Sequence, residues 1–242
     1  MVTQPKSTIA RQLNTARLAI NNTLGDNELQ ALVASYGYTA HRMIEGQQLY
    51  ERAAATVNAQ TIANGTRRQA TAQAREAKRQ AHASYQALAQ LARALFPQGS
   101  SQRIKLGLSG RMPNGVAAFL NAANTLFDNA LTVDEIRQTL ESYGYDAERL
   151  SQDRALIGTF VHSNQLQAAA NGALQQATRD QRAALDALSA WIARYHKIAK
   201  IALRDKPALI EKIGGSSRNS RTSAQRGAPK KAAATRAAKK NA

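Results

Sequence analysis

Ser35-Tyr36-Gly37-Tyr38 recurs intact as Ser142-Tyr143-Gly144-Tyr145, 107 positions further on. At the same offset the match extends in both directions without a gap. Upstream, Leu13, Asn14, Ala16, Asn22, Leu24 and Glu28 meet Leu120, Asn121, Ala123, Asn129, Leu131 and Glu135. Downstream, Ala40, Arg42 and Leu49 meet Ala147, Arg149 and Leu156, and Gly107 meets Gly214. Gln60-x-x-Ala63-Asn64-Gly65 with Gln69-Ala70-Thr71 meets Gln167-x-x-Ala170-Asn171-Gly172 with Gln176-Ala177-Thr178. Roughly a quarter of the positions are identical, and self-similarity at one long period is the mark of a tandem unit. The expected fold is all-α: two copies of one helical unit, over 7–107 and 108–214, packed as a helical bundle, then a basic tail over 215–242.

Within each repeat the pattern predicts two shorter helices and then a long stretch of helical periodicity. Ser7 and Asn114 are the expected caps of the first helix, with Leu13, Ala16 and Ile20, or Leu120, Ala123 and Phe127, on one face. Gly25 or Asp26 opens the second helix in the first repeat, and a capping box, Thr132-x-x-Glu135, opens it in the second. Gly37 and Gly144 suit the left-handed conformation that ends a helix, so Tyr-Gly-Tyr reads as a packed corner. Thr39 and Asp146 then cap a third helix. Asn64-Gly65 and Asn171-Gly172 favour a turn, so the long stretch is expected to fold back as an antiparallel hairpin of helices three and four. One kinked helix running through Asn-Gly is the alternative. Asp205-Lys206-Pro207, closed by Gly214, marks a short last helix.

Aromatics are only 5% of the chain and cysteine is absent, which points to a core of small side chains and removes disulfides and thiolate chemistry. No run of about 18 apolar residues exists, so no transmembrane segment is expected. No apolar signal core follows Met1-Val2-Thr3-Gln4, and a cytoplasmic location is the expectation. The net charge of +17 is unevenly spread: 13 basic against 5 acidic residues in 1–107, 12 against 11 in 108–214, and 8 against none in the last 28. That asymmetry points to an anionic partner.

Catalysis finds little to work with. His41, His82, His162 and His196 have no echo in the other repeat, and no Glu-x-x-His or His-x-x-x-His pair places metal ligands on one helix face. Gly107-Leu108-Ser109-Gly110 lacks the lysine of a phosphate loop and reads as a linker. Asn64, Asn171, Gln60 and Gln167 are the best polar candidates in the apolar seam; a solvated hairpin-tip position is the first expectation for them, fixing of helix register the second and a ligand site the last. No cofactor or metal is expected, and the chain reads as a non-enzyme.

Two basic groups are the candidate binding residues. Arg67, Arg68, Arg75, Lys78 and Arg79 stand where the other repeat has Leu174, Gln175, Arg182, Leu185 and Asp186. In the tail, Arg218, Arg221, Arg226, Lys230, Lys231, Arg236, Lys239 and Lys240 are opposed by no acid. This tail lacks large apolar residues and is expected to be disordered when unbound. Such cations lie along phosphates without reading bases, so the expected function is DNA or RNA binding without sequence specificity. The alternatives are a protein scaffold or self-associating oligomer with an incidental tail, or a coat on a lipid or polymer granule.

Tyr143-Gly144-Tyr145-Asp146-Ala147-Glu148-Arg149-Leu150, with Gln176-Ala177-Thr178-Arg179-Asp180 and Ile198 to Glu211, resembles a widespread bacterial family of two-repeat helical proteins without an established activity. The resemblance covers most of 7–214 and is closest in the second repeat. It implies a bacterial helical protein and assigns no functional residue. The first repeat departs from it, with Pro97-Gln98-Gly99-Ser100 in place of the Asp-Pro-x-Leu ending.

Overall fold

The Tyr-Gly-Tyr corners form as the sequence indicates. Gly37 and Gly144 take φ of 87° and 81°, and the amides of Tyr38 and Tyr145 reach back to the carbonyls of Val33 and Leu140. Tyr38 and Tyr145 are buried, while Tyr36 and Tyr143 face solvent. The echoed arginines complete the corner. Arg42 donates to the Gly37 carbonyl and lies over the Tyr38 ring; Arg149 does the same with Gly144 and Tyr145, its guanidinium 3.9 Å from the ring centre.

The computed structural model describes residues 6–110 and 115–215, and all regular structure there is helical. The helices are α1 (Lys6–Leu24), α2 (Asn27–Ala34), α3 (Ala40–Leu95), α4 (Ser101–Lys105), α5 (Val116–Thr132), α6 (Asp134–Glu141), α7 (Ala147–Ala202) and α8 (Pro207–Lys212). α2 and α6 have 8 residues each, α3 and α7 have 56 each, and both pairs start 107 positions apart. The basic tail lies outside the described residues apart from Gly215, as does Asn114.

The expected hairpin does not form. α3 runs unbroken through Asn64-Gly65, and α7 through Asn171-Gly172. A glycine in a helix interior costs about 1 kcal/mol and an asparagine somewhat less. Ala63, Arg67 and Arg68 on one helix, and Ala168 to Ala170 with Ala173 to Gln175 on the other, are good helix formers, and a break would surrender several backbone hydrogen bonds. Caps differ too. α1 already includes Ser7, and α5 is capped by Gly115 without a side-chain bond. The Thr132–Glu135 box is absent because α5 continues through Thr132, whose hydroxyl donates to the Asp128 carbonyl instead. Asp26 and Asp146 do cap, accepting from the amides of Leu29 and Arg149.

Two compact units form, and they do not follow the 107-residue period. Among the described residues, unit 1 comprises 6–57 and 180–215, and unit 2 comprises 58–110 and 115–179. Unit 1 thus holds α1, α2, the start of α3, the end of α7, and α8. Its core gathers Ile20, Leu29, Val33 and Met43 with Tyr195, Leu203 and Ile213, beside a smaller cluster of Ala16, Ala53, Leu185 and Leu188. Thr23, fully buried, donates to the Ala19 carbonyl and accepts from the Tyr195 hydroxyl. Burial pushes that phenol up to about 12. Unit 2 holds the end of α3, α4, α5, α6 and the start of α7, around Tyr85, Leu88, Phe119, Phe127, Ile136 and Phe160. Leu106 and Leu108 are also in this core, so the expected linker at 107–110 begins as packed structure.

The echoed asparagines lie where the sequence halves are exchanged. Asn22 in α1 donates to the carbonyl of Lys212, and Asn129 in α5 donates to the carbonyl of Lys105, both at 2.5 Å. Each asparagine therefore holds the short helix that ends the other sequence half. Ion pairs follow: Lys206 with Glu28 and Lys212 with Asp26 in unit 1, Lys105 with Glu135 in unit 2. Lys212 and the Leu29 amide hold the Asp26 carboxyl below the usual carboxylate range.

Candidate nucleic-acid interface

Successive helix residues step about 100° around the axis, so Arg67, Lys78, Arg75, Arg68 and Arg79 share an arc of about 120° on α3. The buried alanines Ala70, Ala74, Ala77 and Ala81 occupy the neighbouring arc and set this flank's orientation in unit 2. Arg68, Arg75 and Lys78 are exposed and enter no ion pair among the described residues. Arg79 pairs with Glu76 one turn away, and Arg67 is half-buried with an Nε that meets no acceptor. From Arg52 to Leu95, Glu76 is the only acid of α3. Five candidate cations thus come together, three of them free to meet a ligand; the eight tail candidates lie outside the described residues.

The positions 107 residues on differ at one point in burial. Lys78 corresponds to Leu185, which is 4% exposed and packs in a cluster that includes Ile9 and Leu13 of α1. Gln12 of α1 also donates to the Leu185 carbonyl. In unit 2 the corresponding Lys78 is charged and exposed.

The polar candidates do not converge. Gln167 reaches only the Thr71 hydroxyl, at 3.4 Å, and Asn171 is exposed. His41 faces Glu45 on the surface, and His162 is exposed. No group of three His, Asp or Glu side chains assembles as a metal site among the described residues. No helix there is long and apolar enough to cross a membrane. The hollow of about 430 Å³ in unit 2 is lined by Thr66, Gln69, Gln73, Leu166 and four alanines, with no ionisable group.

Two histidines matter for stability rather than chemistry. His82 stacks on Phe119, ring centres 3.9 Å apart, and burial, with Lys78 one turn away, holds its imidazole below the usual range. Burial beside Tyr195, with Lys200 nearby, does the same to His196. Both take up protons more readily when unfolded, where histidine titrates near about 6.5. Stability therefore begins to fall as pH drops below that value and keeps falling until the folded-state values are passed. Thermal melts should show a lower midpoint at pH about 5.5 than at about 7.5, and replacing both histidines by glutamine should flatten the difference. An unchanged midpoint in the native chain would refute the linkage.

Sequence reading found the cations but missed Gly46. A Cβ at Gly46 would overlap the Trp191 ring, which stacks on Tyr195 and meets Tyr38 edge-on. An isolated glycine inside strong helical periodicity was the available signal. No family model, curated protein or solved structure matches the chain.

Proposed function

We propose that this chain is a non-enzymatic, duplicated helical protein that binds nucleic acid without sequence specificity, chiefly through its basic tail. The observation that carries the reading is the distribution of unopposed charge. Eight tail cations have no acid among them, and Arg68, Arg75 and Lys78 stand exposed and unpaired on one helix flank. Cations of this kind displace the counterions condensed on phosphates. Contacts to phosphates position a protein without reading bases, so affinity that rests on them follows charge rather than sequence.

The test is a salt titration of the full chain on short duplexes of unrelated sequence. Eight engaged tail charges give a log–log slope of up to about −7. A full-length variant with all eight tail cations changed to glutamine should lose most of that slope and bind far more weakly at physiological salt. Absence of binding at low salt, or binding insensitive to salt, would overturn the proposal.

A second reading, self-association or a protein scaffold, is favoured by one observation. The uncharged hollow of unit 2 is lined by Leu166, itself exposed, and Ile62 is exposed nearby in sequence on α3. Light scattering on the full chain, with and without Ala170→Glu in that hollow, separates the two readings.

A further inference from the structure

Resting on the nucleic-acid reading, we infer that the Arg67–Arg79 flank of α3 is a second, duplex-preferring phosphate site in addition to the tail. Three features of the flank support this. First, its cations are fixed on a continuous helix and run along about 18 Å of its axis, the length of about five base pairs. Second, it offers no ring for stacking bases: in this part of α3, Tyr85 is buried and His82 is already stacked on Phe119. Binding of single strands relies on aromatic platforms of that kind. Third, the position of Lys78 is held 107 residues on by the buried Leu185, whereas Lys78 itself is exposed and charged. A site limited to phosphates responds to charge density. Duplex DNA carries one charge per about 1.7 Å of axis, twice that of one of its strands. The flank therefore favours duplex over single strand.

The experiment uses full-length protein, a short duplex DNA, and its separated strand of low secondary structure. The variants are Arg68→Gln/Arg75→Gln/Lys78→Gln, and separately the chain with eight tail cations changed to glutamine. All three flank substitutions are at exposed positions and keep good helix formers, and circular dichroism verifies the fold. The native chain should bind the duplex more tightly, and the flank variant should show a smaller duplex-to-strand ratio, with its duplex salt slope reduced by about 2.7. The tail variant should retain the duplex preference while losing overall affinity. A flank variant with the native duplex-to-strand ratio would overturn this inference and leave the nucleic-acid reading standing. Failure of the native chain to bind either DNA would overturn both.

Discussion

Changing Phe119 to alanine is expected to destabilise the protein by about 3–5 kcal/mol. Phe119 is 1% exposed in the core of unit 2. Its ring stacks on His82, meets Tyr85 edge-on at 5.6 Å, and lies 6.2 Å from Phe160. Truncation removes the transfer energy of a whole ring and leaves a space bounded by α3, α5 and α7. The aromatic contacts add about 0.5–1.5 kcal/mol each beyond buried area. Urea unfolding measures the loss, and a change below about 1 kcal/mol would show that the site repacks. The same substitution exposes His82 to water, so its imidazole should titrate at higher pH in the variant, visible by NMR.

Gly46 is expected to respond to alanine with opposite signs in two backgrounds. In the native chain a Cβ overlaps Trp191, and moving that ring disturbs its contacts with Tyr38 and Tyr195. The overpacking should cost about 1–3 kcal/mol, more than the roughly 1 kcal/mol that alanine returns in helix propensity. Once Trp191 has been changed to alanine, the obstruction is gone. Gly46→Ala should then stabilise by up to about 1 kcal/mol. The double-mutant cycle is read by denaturant unfolding. The same sign in both backgrounds would show that Trp191 is not what demands glycine.

Local conformation was legible because it is decided by nearest neighbours. The corner at Ser35–Tyr38 and its echo follow from one glycine and one hydrogen-bonding frame, and their φ values agree within a few degrees. Asp26 and Asp146 cap because a short carboxylate reaches the amide three residues on. Thr132 failed as a cap because α5 could continue through it, and a threonine hydroxyl is equally satisfied by the carbonyl four residues back. The five α3 cations were visible as a cluster, since helical periodicity alone places them on one flank. That Arg67 is half-buried and Arg79 engaged by Glu76 required side-chain positions.

By itself the sequence determined the all-helical class, the 107-residue echo, the glycine corners and the charge asymmetry, because each depends on local geometry or composition. Only the tertiary structure decided that α3 and α7 run through Asn-Gly, and that each compact unit takes helices from both sequence halves. An Asn-Gly pair imposes a penalty of one to two kcal/mol by propensity scales, small enough for packing and backbone hydrogen bonds along a 56-residue helix to override. A stripe of period 3.6 shows that a helix face is buried without showing what buries it. Asn22 and Asn129 were plain as echoes, yet nothing in the pattern named the carbonyls of Lys212 and Lys105 as their partners. Those partners are set by which short helix reaches α1 and α5 in space, a choice that only the assembled cores make.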